Sequence, residues 1–295
     1  MSREAMATGT GTRPPVAQVR RPAGTVSQDL RAVKIVWQRE LIRFFQDRAR
    51  IISSLLQPIL FLFVLGAGLS TLVTGGTGGL DLRTFMFPGV VAMSTMFTAL
   101  FSAGSIVWDR EFGFLREMLV APVHRSAIVL GKCVGGATVA TLQGLIVLAL
   151  AGFVGVPYDP ALLLTLVVEL LLLSFTLTAL GVMVAARIKN IQTFFALTQV
   201  FLLPMFFLSG SLYPLTGLPT WLHVLTRIDP LTYVVDPMRR AVFAHLTISP
   251  FVRAKLSPGV TWGSWRVPTL LELALVAVVG LALLGVGILQ FRRTE

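Results

Sequence analysis

Residues 108–122 read WDREFGFLREMLVAP, and they separate two long apolar stretches of a 295-residue chain. Five of the first ten residues in this segment are charged, yet its apolar residues recur at helical spacing. The positions i, i+4, i+7 and i+11 are Trp108, Phe112, Leu115 and Leu119, which form one stripe on a helix. The pattern predicts a short amphipathic helix between two membrane spans, placed where it can present itself to a partner.

The composition of the chain is that of a membrane protein. Apolar residues make up 55% of it and charged residues only 13%, whereas a soluble domain carries about 25% charged residues. The net charge of +11 does not indicate nucleic-acid binding, because the basic residues lie mostly beside the apolar segments. The single cysteine, Cys133, excludes a disulfide within the chain, and the sequence has no Cys/His metal pattern.

Six apolar segments are long enough to cross a bilayer, which needs about 20 residues per helix. They lie at approximately 51–73, 84–107, 127–154, 161–186, 193–213 and 268–291, within a transmembrane domain at 50–292. The third segment contains Gly131-x-x-x-Gly135, a spacing that favours close contact between two helices.

The distribution of basic residues predicts the orientation of the spans. With both termini in the cytoplasm, thirteen Lys and Arg residues fall in the inner segments 31–50, 108–126, 187–192 and 292–295. The short outer loops at 74–83 and 155–160 hold only Arg83. The preference for Arg over Lys is typical of a GC-rich bacterial genome. We therefore expect a multi-pass protein of the bacterial cytoplasmic (inner) membrane.

Three regions flank or connect the spans. Residues 1–27 carry little apolar surface and are predicted to form a disordered cytoplasmic tail. Residues 28–49 combine apolar and basic residues at helical spacing, which predicts an interfacial amphipathic helix; a simple charged anchor is the alternative. The outer loop at 214–267 has apolar runs too short to span, which predicts re-entrant or interfacial helices with Arg239 and Arg240 solvated or facing lipid.

The sequence contains no catalytic motif. The patterns GxxxxGK[ST], HExxH and GxSxG are absent, so we expect no catalytic residue, no metal site and no ATP site in this chain. Glu169, about eight residues into the fourth span, is the only deep carboxylate and therefore a functional candidate. Local pairing or an outer aqueous vestibule would also account for it. Glu272 is expected at the outer interface.

Two spans carry residues that suit bulky apolar cargo, because Met is flexible and Phe is flat. The candidates for a substrate pathway are Met93, Met96 and Phe97 in the second span and Phe195, Gln199, Phe206 and Phe207 in the fifth. Ordinary helix packing or lipid contact is the alternative for each of them.

Residues 108–122 closely resemble the first cytoplasmic loop of ABC-2 type transporter permeases, and most of all the daunorubicin-resistance (Drr-type) branch of bacterial drug exporters. The pattern of that family is an acidic residue, a Gly, a second acidic residue and a closing Pro, matched here by Glu111, Gly113, Glu117 and Pro122. The resemblance covers residues 28–292 and includes the stretch IDPLTY at 228–233 in the outer loop.

The resemblance implies an all-α membrane protein of the ABC-2 (type V exporter-like) fold, with six spans, a cytoplasmic coupling helix and outer re-entrant helices. Two permease subunits would pair, and two separate ABC ATPase subunits would bind ATP and Mg. The residues expected to couple to the ATPase are Asp109, Arg110, Glu111, Phe112, Gly113, Phe114, Leu115, Arg116, Glu117, Leu119 and Pro122. Glu111 and Glu117 are expected to pair with basic residues of the permease or the ATPase.

The leading interpretation is the permease subunit of an ATP-driven exporter of an amphiphilic drug-like or lipid compound. An ion-gradient-driven secondary transporter is one alternative, although it would need repeated halves and paired intramembrane charges, which we do not find in the sequence. An exporter of a polysaccharide or glycolipid is another, and a non-transporting membrane scaffold or immunity protein is a third. Pairing with an identical or a related permease fits the sequence equally well.

Overall fold

A computed structural model describes residues 25–73, 80–120, 123–262 and 265–294. The chain is helical almost throughout. Its helices are α1 (Val26–Gln46), α2 (Arg48–Ile59), α3 (Gly66–Val73), α4 (Leu82–Ser102), α5 (Gly104–Glu111), α6 (Phe114–Val120), α7 (Arg125–Leu148), α8 (Pro160–Ala185), α9 (Ile191–Leu208), α10 (Thr220–Ile228), α11 (Thr232–Ala244), α12 (Pro250–Leu256) and α13 (Thr269–Thr294). A π-helical turn (Leu60–Leu65), a 3-10 turn (Ala151–Val154) and a two-stranded hairpin, β1 (Thr261–Trp262) with β2 (Trp265–Arg266), complete the fold.

Within the part of the chain that the structure describes, six helical segments are long and apolar enough to cross a membrane, which confirms the predicted all-α membrane fold class. They are Ile51–Ser70, Leu82–Glu111, Arg125–Leu148, Pro160–Ala185, Ile191–Leu208 and Thr269–Arg293. The second runs through α4 and α5 and therefore reaches four residues past its predicted end at 107. The first contains the π-helical turn directly after Pro58, whose ring removes a backbone donor from the helix.

The spans differ in how much of their surface the rest of the chain covers. Leu82–Glu111 is the most enclosed, with 78% of its apolar window buried, and it packs against α7 and α8 at the centre of the bundle. Ile51–Ser70 and Ile191–Leu208 are only 17% and 22% buried. Their exposed apolar side chains are left to contact lipid or another subunit.

Helix α1 packs closely along α7. A Cβ atom added at Gly131 would lie 2.8 Å from Val36, and one at Gly135 would lie 2.9 Å from Glu40. Since real Cβ atoms do not approach so closely, only glycine allows this contact. The predicted close contact at the Gly131-x-x-x-Gly135 spacing is confirmed, and its partner is α1. Other apolar side chains of α1, including Ile35 and Phe45, are exposed.

Helix α11 enters the bundle and packs against α4, α8 and α13. This burial overturns the expectation for the two arginines of the outer loop. Arg239 is only 2% exposed and donates to the Gly210 carbonyl at 2.6 Å, while Arg240 binds Asp236 and Glu272, so neither arginine is solvated or lipid-facing. Glu272, the partner of Arg240, is fully buried within the chain. The sequence could not indicate that Arg239 and Arg240 have partners inside the bundle, because both residues lie in a loop that was assigned to the surface.

Asp229 ends α10 and holds the start of α11. Its carboxyl accepts from the backbone N–H of Leu231 at 3.1 Å and from the Thr232 hydroxyl at 3.3 Å. The side chain is 5% exposed, and this burial raises the pKa of the Asp229 carboxyl from 3.8 to about 7, against the opposing effect of those hydrogen bonds.

The raised pKa of Asp229 predicts a pH-dependent stability. Between about pH 4 and pH 7 the folded protein keeps a proton that the unfolded chain releases, so stability falls as pH rises and is constant above about pH 7. Asp229→Asn removes the cost of ionisation and should stabilise the protein at pH 8 by up to about 4 kcal/mol. The melting temperature of Asp229→Asn should therefore exceed that of wild type at pH 8, and the two melting temperatures should be equal near pH 4. Equal melting temperatures at both pH values would contradict the prediction.

Candidate functional site

The end of the second span and the connection to the third form two short helices, α5 and α6, with a sharp turn between them. Helix α5 ends at Glu111, and Gly113 follows with a φ of +84°, a left-handed conformation that favours glycine. Helix α6 then runs from Phe114 to Val120. The expected single stripe through Trp108, Phe112, Leu115 and Leu119 is therefore wrong, because the turn at Gly113 changes the helix direction in the middle of the stripe.

The apolar residues of this segment divide into two groups. Trp108, Phe112 and Phe114 are 42%, 56% and 46% exposed, and the rings of Trp108 and Phe112 lie 4.6 Å apart; we call these three residues the aromatic patch. Leu115 is 3% exposed and packs into the bundle beside Val107 and Val129. The side chains of Arg116 and Leu119, and the whole of Pro122, lie outside the described residues.

Asp109, expected on the polar face of the helix, is instead fully buried. Its carboxylate binds Lys132 Nζ at 2.5 Å and Arg39 Nη2 at 2.6 Å. Lys132 also binds Glu40 at 2.6 Å and the Ser105 hydroxyl at 3.1 Å. We call Arg39, Glu40, Asp109 and Lys132 the Asp109 network. The Asp109 network has two cations and two carboxylates, so its formal charge is balanced. It joins α1, α5 and α7.

The next two residues connect α5 to two further helices. Arg110 donates to the carbonyls of Ala185 at 2.9 Å and Ile188 at 2.5 Å, at the C-terminal end of α8. Glu111 accepts the backbone N–H of Ile191 at 2.8 Å, at the first residue of α9. Each charge matches the sign that a helix end favours. Glu111 therefore has a partner within the permease, whereas Glu117 is exposed.

A further contact fixes the start of α1. Asp29 accepts the backbone N–H of His124 at 2.9 Å, and its second oxygen lies 2.7 Å from His124 Nδ1. The backbone N–H of His124 is the main reason that the pKa of Asp29 is lowered from its ordinary value. Since His124 precedes α7, both ends of the α1–α7 contact are held by polar interactions.

Four of the seven pathway candidates line two cavities. A cavity of about 560 Å³ between α1, α5 and α9 is bounded by Phe195 and Gln199. A neighbouring cavity of about 230 Å³ is bounded by Met93 and Phe97. Phe101 lines both cavities, as does Phe44 of α1. Phe44 was missed from the sequence, where it reads as one more apolar residue of an amphipathic helix.

The remaining candidates are not brought into either cavity. Met96 is fully buried in the core, Phe206 is 3% exposed, and Phe207 is 52% exposed. Glu169 is 1% exposed within α8, at the other end of the bundle. Among the described ranges, no group of His, Cys, Asp and Glu side chains could hold a metal ion.

Comparison with known proteins identifies the family. The model of the ABC-2 type transporter family matches residues 31–243. Nodulation protein J of Rhizobium meliloti is 30% identical over 244 residues, covering 82% of this chain and 91% of that protein. Nodulation protein J of Rhizobium leguminosarum bv. trifolii is 30% identical over 71% of this chain and 80% of its own length.

A third relative carries a multidrug name. The Escherichia coli protein named "Probable multidrug ABC transporter permease YbhR" is 31% identical over 159 residues, covering 53% of this chain and 43% of that protein. The match to the family model includes α5, α6, the Asp109 network and both cavities. The chain therefore belongs to the ABC-2 type transporter family of multi-pass membrane proteins, whose members are transport permease subunits with the ATPase activity on an ABC partner.

Proposed function

We propose that this chain is the permease subunit of an ABC exporter that moves an amphiphilic drug-like or lipid compound out of the cytoplasm or the inner leaflet. Two ABC ATPase subunits, which bind ATP and Mg, would power it, and it would pair with a second permease. The observation that carries the proposal is the exposed aromatic patch on a segment that polar contacts join to α1, α7, α8 and α9.

The aromatic patch has the properties of a docking surface for the ATPase. Trp and other aromatic residues supply much of the binding energy at protein interfaces. In the aromatic patch, three aromatic side chains are exposed within seven residues. The neighbouring charged residues Asp109, Arg110 and Glu111 instead form ion pairs or hydrogen bonds with other parts of the bundle. A partner that seats on the patch would move α5, and the inward contacts would transmit that movement to the spans.

The larger cavity suits an amphiphilic cargo. Its walls combine the apolar side chains of Phe44, Phe101 and Phe195 with the charged groups of Arg43 and Asp47. A molecule with an apolar body and a polar head would find partners for both. The exposed apolar face of α9 beside the larger cavity provides a surface for the second permease or for membrane lipids.

The Drr-type branch, the bacterial cytoplasmic membrane and cytoplasmic termini are parts of the same proposal. The loop pattern Glu111, Gly113 and Glu117 supports the branch, and the excess of basic residues in the predicted inner segments supports the orientation. The multidrug name of one relative supports a drug-like cargo. Export of a polysaccharide or glycolipid, and transport driven by an ion gradient, are the outcomes that the following experiment separates.

The test is to co-express the permease with candidate ABC ATPase subunits from the same genome, then measure co-purification and ATP hydrolysis. Wild type should retain one ATPase, and amphiphilic compounds should stimulate hydrolysis. The double variant Trp108→Ala/Phe112→Ala should lower the retained ATPase by about tenfold or more, because hot-spot truncations cost about 2 kcal/mol or more. Phe195→Ala should reduce stimulation by the cargo while leaving ATPase binding unchanged.

Phe153→Ala is the matched control for the double variant. Phe153 is 72% exposed and lies in the 3-10 turn between α7 and α8, at the opposite end of the bundle from α5. Its removal should leave both readouts unchanged. Retention of the ATPase by the double variant at the wild-type level would refute docking on the aromatic patch. Stimulation only by polysaccharide or glycolipid substrates would replace the proposed cargo, and transport without any ATPase would replace the proposed energy source.

A further inference from the structure

A second cluster of buried charges lies at the opposite end of the bundle from α5. Arg240 of α11 binds two carboxyl groups through the same nitrogen, Nη2. One belongs to Asp236, a helical turn earlier, at 2.7 Å, and the other to Glu272 in the first turn of α13. Glu272 is fully buried, and Asp236 is 3% exposed. The two carboxyl groups are therefore close to each other as well as to the guanidinium.

Glu169 of α8 is the third carboxyl group of this cluster. It is 1% exposed and lies on α8, which packs against both α11 and α13. Neither oxygen of Glu169 has a hydrogen-bond partner among the residues that the structure describes. Glu169 thus differs from Asp236 and Glu272, which share a guanidinium. An ionised carboxylate that is buried without any partner is so costly that the group normally binds a proton instead.

The charges around Glu169 do not balance. Arg239, the neighbouring cation on α11, donates to the carbonyls of Gly210 and Ser211, so even when it is counted, three carboxyl groups stand against two guanidinium groups. The helices α4 and α7 add no titratable residue here, since residues 84–107 and 134–148 contain none. Nε2 of His245 lies 3.7 Å from a carboxyl oxygen of Asp159, the N-cap residue of α8, so the acidic partner of His245 is Asp159. One negative charge remains in excess, and one proton would neutralise it.

We propose that Glu169, Asp236 and Glu272 form a proton-binding site between α8, α11 and α13, with the proton carried on a carboxyl oxygen of Glu169. The proton stays while α11 is packed against α8, and it passes to water when α11 moves and the carboxyl group becomes hydrated. Separation of α11 from α8 is therefore linked to proton release. The inference is independent of the cargo and of the ATPase, and it concerns the permease alone.

The Asp109 network provides an internal comparison, because its carboxylates, Asp109 and Glu40, are also buried and its charges are balanced. The test is infrared spectroscopy of the purified permease in lipid nanodiscs at about pH 7, between the ordinary carboxyl and amine ranges. Wild type should show the C=O stretching band of a protonated carboxylic acid, and the band should shift in D2O. Because Asp229 is itself partly protonated at this pH, the variants are compared in an Asp229→Asn background, in which Glu169→Gln should abolish the remaining band and Glu40→Gln should retain it.

A second variant tests the charge balance itself. Asp236→Asn removes the excess negative charge with little change of shape, so Glu169 should ionise more readily. In the Asp229→Asn background, the pH at which the band is half lost should therefore fall by about one unit, the size of shift that a nearby charge produces. Absence of the band from that background, or its persistence when Glu169→Gln is added, would overturn the proposal.

Chemical labelling covers the case in which a variant fails to fold. A hydrophobic carbodiimide reacts with protonated carboxyl groups in apolar surroundings, so in the wild-type protein it should modify Glu169 and spare Asp109 and Glu40. Peptide mass spectrometry reads out the modified residue. Equal modification of Asp109, or modification of none of the three carboxyl groups at the site, would overturn the proposal without any substitution.

Discussion

Asp109→Asn should destabilise the permease by about 3–5 kcal/mol, because it leaves Lys132 and Arg39 with Glu40 as the only carboxylate of the Asp109 network. For a chain of this size such a loss lowers the melting temperature by on the order of 10 °C. The measurement is a thermal unfolding curve of the purified permease. ATPase co-purification should fall with it, because α5 loses its contacts to α1 and α7.

Two further variants distinguish the Asp109 network from a general effect of removing charge. Glu117→Gln changes an exposed carboxylate of the same segment and should leave the melting temperature unchanged. Adding Lys132→Met to Asp109→Asn leaves one cation, Arg39, with one carboxylate, Glu40, and should recover much of the lost stability. Non-additivity of the two single substitutions measures their coupling directly. Strictly additive effects would show that Asp109 and Lys132 act independently.

Gly131→Leu should displace α1 from α7. A side chain at this position would lie 2.8 Å from Val36 and 3.1 Å from the backbone carbonyl of Val33, so α1 cannot keep its present distance. Over-packing of this kind costs about 1–3 kcal/mol. Amide exchange in residues 26–46, measured by mass spectrometry, should therefore accelerate about tenfold, the factor that corresponds to 1.4 kcal/mol.

Gly285→Leu is the matched control for Gly131→Leu. Gly285 is also a helical glycine of a span, in α13, but a Cβ atom there would meet nothing within 4 Å. Exchange in residues 26–46 should be the same as in wild type. If Gly131→Leu also left that exchange unchanged, the close α1–α7 contact would not be what holds α1 in place.

Some of this architecture could be predicted because the signal is local. Runs of apolar residues locate the six spans, since each span satisfies its own backbone hydrogen bonds. The Gly131-x-x-x-Gly135 spacing correctly predicted a close helix contact, because two glycines four residues apart lie on one face of a helix. The partner helix could not be predicted, since the spacing describes only one side of the contact.

The charged residues were harder to place for the opposite reason. Asp109 binds Arg39 and Lys132, which are 70 and 23 residues away, so nothing next to Asp109 in the sequence indicates that it is buried. Glu272 and Arg240 are 32 residues apart and belong to different helices. Helical periodicity assigns a charged residue to a polar face, whereas its true environment depends on which distant residue has the opposite charge.

The three consecutive residues at 109–111 have a mechanical consequence. Each holds a different neighbour: Asp109 holds α1 and α7, Arg110 the end of α8, and Glu111 the start of α9. Because these attachments lie within a single helical turn, we expect a displacement of α5 by a partner to move α1, α7, α8 and α9 together. The turn at Gly113 would be the point at which the chain bends.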